Sequence, residues 1–109
     1  MDEIILDRRQ KPRHRFEAKA TLSFGGAVYS AVTQDISSKG TFLVTDVPAP
    51  VSTSVELTLD VHDGLSPIEI SGRVVRVTSG SASPHGLAVE FDEVEAEVAQ
   101  RIVAATRQS

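Results

Sequence analysis

The 109-residue chain contains no cysteine, no tryptophan and a single tyrosine. Without cysteine there is no disulfide, no thiolate metal site and no thiol redox chemistry. Long apolar runs are also missing, and none approaches the roughly 20 residues needed to cross a bilayer as a helix. The chain opens Met1-Asp2-Glu3, with only Ile4-Ile5-Leu6 apolar before Arg8. An acidic start and so short an apolar stretch do not make a secretion signal, so a cytoplasmic protein is expected. The three histidines, His14, His62 and His85, are isolated and lack metal-ligand spacing. There is no G-x-S-x-G elbow, no phosphate-binding glycine loop and no H-E-x-x-H. Those absences speak against an enzyme and against a metal or other cofactor.

What is present fits one ordinary domain. Hydrophobic residues make up 40% and charged residues 24%, close to the usual globular balance, and a chain of this length builds one core. The net charge of −4 conceals an asymmetry. Arg8, Arg9, Lys11, Arg13 and Arg15 supply five of the eleven basic residues, so the rest of the chain is markedly acidic. An acidic body repels a nucleic-acid polymer. A short basic segment on such a body suits a small, localised anion, or else serves as a solvated tail.

Residues 1–15 carry no sustained periodicity and include Pro12, which reads as a flexible basic arm. From Phe16 the pattern becomes strict alternation, with Phe16, Ala18, Ala20, Leu22 and Phe24 on one side, as in a half-buried strand. Gly25-Gly26 signals a tight hairpin. Further strands are expected over Ala27 to Ile36, Thr41 to Thr45, Val55 to Val61, Ile68 to Thr78 and Gly86 to Phe91. Gly72, inside the fifth of these six strands, suggests a bend or bulge. Asp92 is the expected cap of a helix whose Val94, Val98, Ile102 and Ala105 share one face. The pattern predicts a six-stranded antiparallel β-barrel over residues 16–107, with a C-terminal α-helix packed on it.

Two local motifs occur in order. Arg9-Gln10-Lys11-Pro12-Arg13 is an R-x-x-x-R preceded by Arg8, and Asp35-Ile36-Ser37-Ser38-Lys39-Gly40 is a D-x-S-x-x-G at a strand-to-turn junction. By itself the second could be a tight turn, where Asp, Ser and Gly are favoured anyway. Together, with Gly72-Arg73-Val74-Val75-Arg76-Val77 and Gly86-Leu87-Ala88-Val89-Glu90-Phe91 behind them, they resemble the PilZ family over about residues 8–107. The resemblance implies a receptor for cyclic di-GMP that signals through a protein partner and catalyses nothing. It implies that Arg9 and Arg13 hold phosphate and guanine, with Arg8 as helper. The chemistry agrees, because a guanidinium presents a planar fork of donors to phosphate oxygens or to the guanine O6/N7 edge. Asp35 is the expected reader of the guanine N1–H and N2–H donors. Ser37 either bonds the ligand or closes the turn. Gly40 supplies a conformation or a close approach that a Cβ would block. A second register, Lys11 with Arg15, has the same parity, but lysine lacks the guanidinium fork.

Two rival functions are weighed against this one. A PilZ-like adaptor that has lost the nucleotide would keep the fold and act only by protein–protein interaction. A barrel binding single-stranded nucleic acid would need exposed aromatics along a basic groove, whereas the four phenylalanines here mostly follow core parity.

Overall fold

The alternating runs are strands, and they close on themselves. The computed structural model describes residues 14–47, 49–78 and 85–107, with His14, Arg15 and Arg107 described by backbone alone. The strands are β1 (His14–Arg15), β2 (Lys19–Phe24), β3 (Ala27–Ile36), β4 (Gly40–Val44), β5 (Ser54–Leu59), β6 (Ile68–Thr78) and β7 (Gly86–Phe91). A helix, α1 (Ala96–Arg107), follows. All pairings are antiparallel. The order β3-β2-β5-β6-β7-β4 returns to β3 through the β3–β4 ladder, which makes a closed six-stranded barrel. Closure pairs the strand edges that an open sheet would expose.

The core follows the alternation. Leu22, Leu57, Leu59, Ile68, Val74, Leu87 and Val89 all point inward and are almost fully buried. Each such side chain contributes roughly 1.5–3 kcal/mol from leaving water. At the β2–β3 hairpin, Gly25 and Gly26 have φ of 61° and 83°, values that a side chain would strain. Beside the turn, Phe24 and Tyr29 stack with ring centroids 5.2 Å apart.

The expected first strand, Phe16 to Phe24, is interrupted, and pairing begins earlier than expected. β1 and β2 both lie along one edge of β3, with Arg15 opposite Asp35 and Lys19 opposite Val32. Between those pairs, Phe16, Glu17 and Ala18 face only Thr33 and Gln34. That is a β-bulge, one extra residue on one strand. His14 and Arg15, read from sequence as the end of the arm, pair with β3 across it. On its other edge β3 carries a bulge of its own: Thr33 pairs with Leu43 but Asp35 pairs with Phe42, leaving Gln34 over. A third bulge lies in β6 at Val75, close to Gly72 but not at it.

The helix begins later than the sequence suggested. Asp92, the expected cap, stands four residues before the helix start at Ala96, and its N–H donates to the Ser71 carbonyl at 2.9 Å as an extension of the sheet. The first helical turn opens instead with the Ala99 N–H donating to the Glu95 carbonyl. The expected apolar stripe is present: Ile102 is buried in the core, and Val94, Val98 and Ala105 pack against it half-buried. Arg101 fastens the helix to the β5–β6 loop. Its Nε donates to Asp63 Oδ2 at 2.8 Å, and its Nη2 donates to Asp63 Oδ1 at 3.0 Å and to the Ser66 carbonyl at 2.6 Å. The guanidinium holds the Asp63 carboxyl down to about 2.

Candidate functional site

The D-x-S-x-x-G segment is a turn held by several backbone hydrogen bonds. Ser37 N–H donates to the Gly40 carbonyl at 2.9 Å, and Ser37 Oγ accepts from the Lys39 N–H at 3.0 Å. The Thr41 hydroxyl donates to the Asp35 carbonyl at 2.7 Å, and the Phe91 N–H to the Lys39 carbonyl at 2.8 Å. Of the two roles expected for Ser37, turn closure is visible here. That bond uses the hydroxyl as an acceptor and leaves its proton for a second bond. Gly40 lies opposite Glu90 on β7, and a Cβ there would collide with the Val89 carbonyl oxygen. Its φ is not positive, so glycine is required by close approach and not by conformation.

The orientation of Asp35 comes from the β3 bulge. Ala31 and Thr33 point inward and are buried. Simple alternation would send Asp35 inward after them. Gln34 is the extra residue, so the parity flips, Ile36 fills the core at 1% exposure and Asp35 is left half-buried on the opposite side. A shift of one residue exchanges the two faces of a strand, and here it moves a carboxylate out of the core.

The register extends this outer face across the barrel. Asp35 lies opposite Phe42, Phe42 opposite Ala88, and Ala88 opposite Arg76. On the remaining side Arg15 is opposite Asp35. Phe42 and Ala88 are buried but stand outside the core cluster, and the Phe42 ring lies so close over Gly86 that a Cβ there would come within 2.5 Å of it. A carboxylate and an exposed arginine thus share a row, with two apolar residues between them. Three inter-strand steps separate them by about 14 Å. Arg76, part of the segment that carries the family resemblance, has no binding role readable from sequence, because its place in the row depends on strand order.

Ser38 and Lys39 of the turn, with Arg73, Glu90, Phe91, Asp92, Val94 and Ala99, line a cleft of about 460 Å³. It brings together two cations, Lys39 and Arg73, two carboxylates, Glu90 and Asp92, and the Ser38 hydroxyl. Of the residues expected to bind, the structure brings Asp35, Ser37 and Gly40 into one turn. Arg8, Arg9 and Arg13, and Lys11 of the second register, lie outside the described residues. No cluster of His, Cys, Asp and Glu suited to a metal ion occurs among the described residues, and none of their helices is long and apolar enough to cross a membrane.

A closed antiparallel barrel with one packed helix, and a tied turn beside its outer face, defines a class of small β-barrel domain. The family model for the PilZ domain matches residues 7–108. The chain belongs to the PilZ family. Solved structures share the fold. The Bacillus subtilis inhibitor of motility (MotI/DgrA) superposes with a TM-score of 0.80 at 19% identity, over 94% of this chain and 50% of that one. The PilZ domain of YcgR from Escherichia coli, solved with c-di-GMP, gives 0.76 at 9% identity, over 94% and 91%. The PilZ domain of CeSA from a cellulose-synthesizing bacterium gives 0.68 at 17% identity, over 89% and 96%. The chain therefore spans half the length of the Bacillus protein and nearly all of the two isolated domains. No curated protein matches the sequence.

Proposed function

We propose that this domain is a receptor for cyclic di-GMP, gripping the dinucleotide between the basic segment before His14 and the outer face of the barrel. The observation that carries this is the Asp35 geometry: a bulge turns a carboxylate of the D-x-S-x-x-G turn out of the core, and β1 pairs directly opposite it. The described strand β1 begins at His14, opposite Ile36 where the turn starts, and Arg13 directly precedes it in sequence. Asp35 accepts from N1–H and N2–H of one guanine. Arg9 and Arg13 supply forked donors to phosphate and to the O6/N7 edge, with Arg8 beside them. Ser37 donates its remaining proton, and Gly40 keeps the turn close to β7. Arg76, on the same row, supplies a further cation. The c-di-GMP held by the E. coli relative supports the ligand assignment.

Binding is reversible and no bond is broken. The output passes to a protein partner that senses the basic segment when it is ordered over the ligand. Calorimetric titration tests this. Cyclic di-GMP should bind saturably, and cyclic di-AMP far more weakly, because adenine has an acceptor at N1 where guanine has a donor. Absence of heat and of saturation with cyclic di-GMP would leave the adaptor reading, in which the fold meets its partner without nucleotide.

A further inference from the structure

Thr33 is polar, has 1% exposure and sits inside the barrel wall where the chain is least regular. Its hydroxyl accepts from the Ala18 N–H at 2.8 Å and donates to the Phe16 carbonyl. These two groups flank the extra residue of the β1–β2 bulge, where the ladder cannot pair them in the ordinary way. Thr33 is also the last residue of β3 in register with Leu43 before Gln34 is left over. One side chain thus sits at both irregularities: the bulge that turns Asp35 outward, and the one that carries His14 and Arg15 past it. The neighbouring bonds, Phe16 N–H to the Gln34 carbonyl at 3.0 Å and Thr33 N–H to the Ala18 carbonyl at 2.9 Å, hold the same segment. A buried hydroxyl with both bonds made stabilises a particular geometry, because neither backbone group finds another partner if it is lost.

We propose that Thr33 is a positioning residue for the binding site: its hydroxyl clamps Phe16 and Ala18, so that Asp35 faces outward and β1 delivers the basic segment opposite it. The role presupposes that the site binds a cyclic dinucleotide. Thr33 touches no ligand; it acts by fixing two strands relative to each other.

The test compares Thr33→Val, which keeps the shape and removes the hydroxyl, with Thr33→Ser, which keeps the hydroxyl. Cyclic di-GMP affinity is measured by calorimetry, and amide exchange is followed without ligand. Thr33→Val should bind at least tenfold more weakly, and Thr33→Ser should return to within about threefold of wild type, the span of a tenfold change being about 1.4 kcal/mol. Without ligand, the amides of Arg15, Phe16 and Ala18 should exchange faster in Thr33→Val while those of β5 and β6 do not change. Equal affinity of wild type and Thr33→Val overturns the role. If wild type itself does not bind, the ligand reading fails separately, and exchange alone decides: selective loss of protection at residues 15–18 upholds the clamp, and unchanged protection overturns it. Should Thr33→Val not fold, Thr33→Ala takes its place. Failure of both to fold makes the hydroxyl a requirement of the barrel itself and overturns the positioning role.

Discussion

The two halves of β3 are built differently. From Ala27 to Val32 the strand pairs with β2 in unbroken register and ends in a hairpin whose glycines are needed for their positive φ. From Thr33 to Ile36 the ladder slips on both edges, and the strand ends in a turn whose glycine is needed because β7 passes against it. The first half obeys the rules for a half-buried strand. The second breaks them over four residues and in doing so brings a carboxylate to the surface beside a tied turn. Irregularity in a barrel wall costs ladder bonds, and its concentration next to the D-x-S-x-x-G turn agrees with the binding role proposed for that end of β3.

The two glycine turns should respond very differently to an added methyl group. Gly40→Ala puts a Cβ into the Val89 carbonyl oxygen, and backbone cannot yield as a side-chain end can. Stability should fall by about 3 kcal/mol, at the upper end for overpacking, and ligand binding should be lost with it. Gly25→Ala meets nothing within 4 Å and costs only the left-handed backbone, about 1 kcal/mol, with binding kept. Denaturant midpoints and calorimetry on both variants measure the contrast. Equal losses would mean that the two turns do not differ in kind.

Arg13→Ala and Arg9→Ala should each weaken cyclic di-GMP by about 100-fold, from more than one charge-assisted bond at roughly 1.5–3 kcal/mol apiece. Stability of the barrel should not change in either. A loss on Arg15→Ala with none on Arg9→Ala would establish the Lys11 and Arg15 register instead. Asp35→Ala is expected to cost about tenfold in affinity and to erase the preference over cyclic di-AMP. A variant that bound tenfold less but still discriminated would take base reading away from this residue.

The smallest effect lies away from β3. Asp63 has its carboxyl lowered from 3.8 to about 2 by Arg101. A lowered folded-state value stabilises the fold above about pH 4, and that contribution disappears as pH falls towards 2. Unfolding midpoints between pH 5 and pH 2 should show this slope in the wild type and a shallower one in Arg101→Met, with ligand affinity near neutral pH unchanged. Equal slopes would detach the clasp from acid stability.

Much of this was legible in the chain itself. Ala20 and Leu22, or Val55, Leu57 and Leu59, announce strands because burial alternates with residue number. The Gly25-Gly26 hairpin and the helix stripe follow from equally local rules. The D-x-S-x-x-G turn was recognisable as a unit, but the choice between conformation and close approach at Gly40 needed the Val89 carbonyl of a distant strand. The bulges were not, since an extra residue is defined only against a partner strand: Gln34 is surplus because Phe42 and Leu43 are its neighbours. For the same reason simple parity misreads Asp35, and Arg76 belongs to the outer row only once β6, β7, β4 and β3 are known to lie side by side. Asp92 lies too far before the helix, which begins at Ala96, to cap it, and its N–H extends the sheet to Ser71, 21 residues away in sequence, a pairing no local pattern reveals.

The proposed binding mode requires the ligand to touch the barrel at the Asp35 turn. Backbone amide shifts of the isotope-labelled protein, followed through a titration with cyclic di-GMP, should move and saturate at Asp35 to Gly40 and around Arg76, while Ala27 to Ala31 and the Gly25-Gly26 hairpin stay in place. Saturating shifts centred on the regular half of β3, or no shift at the Asp35 turn, would contradict it.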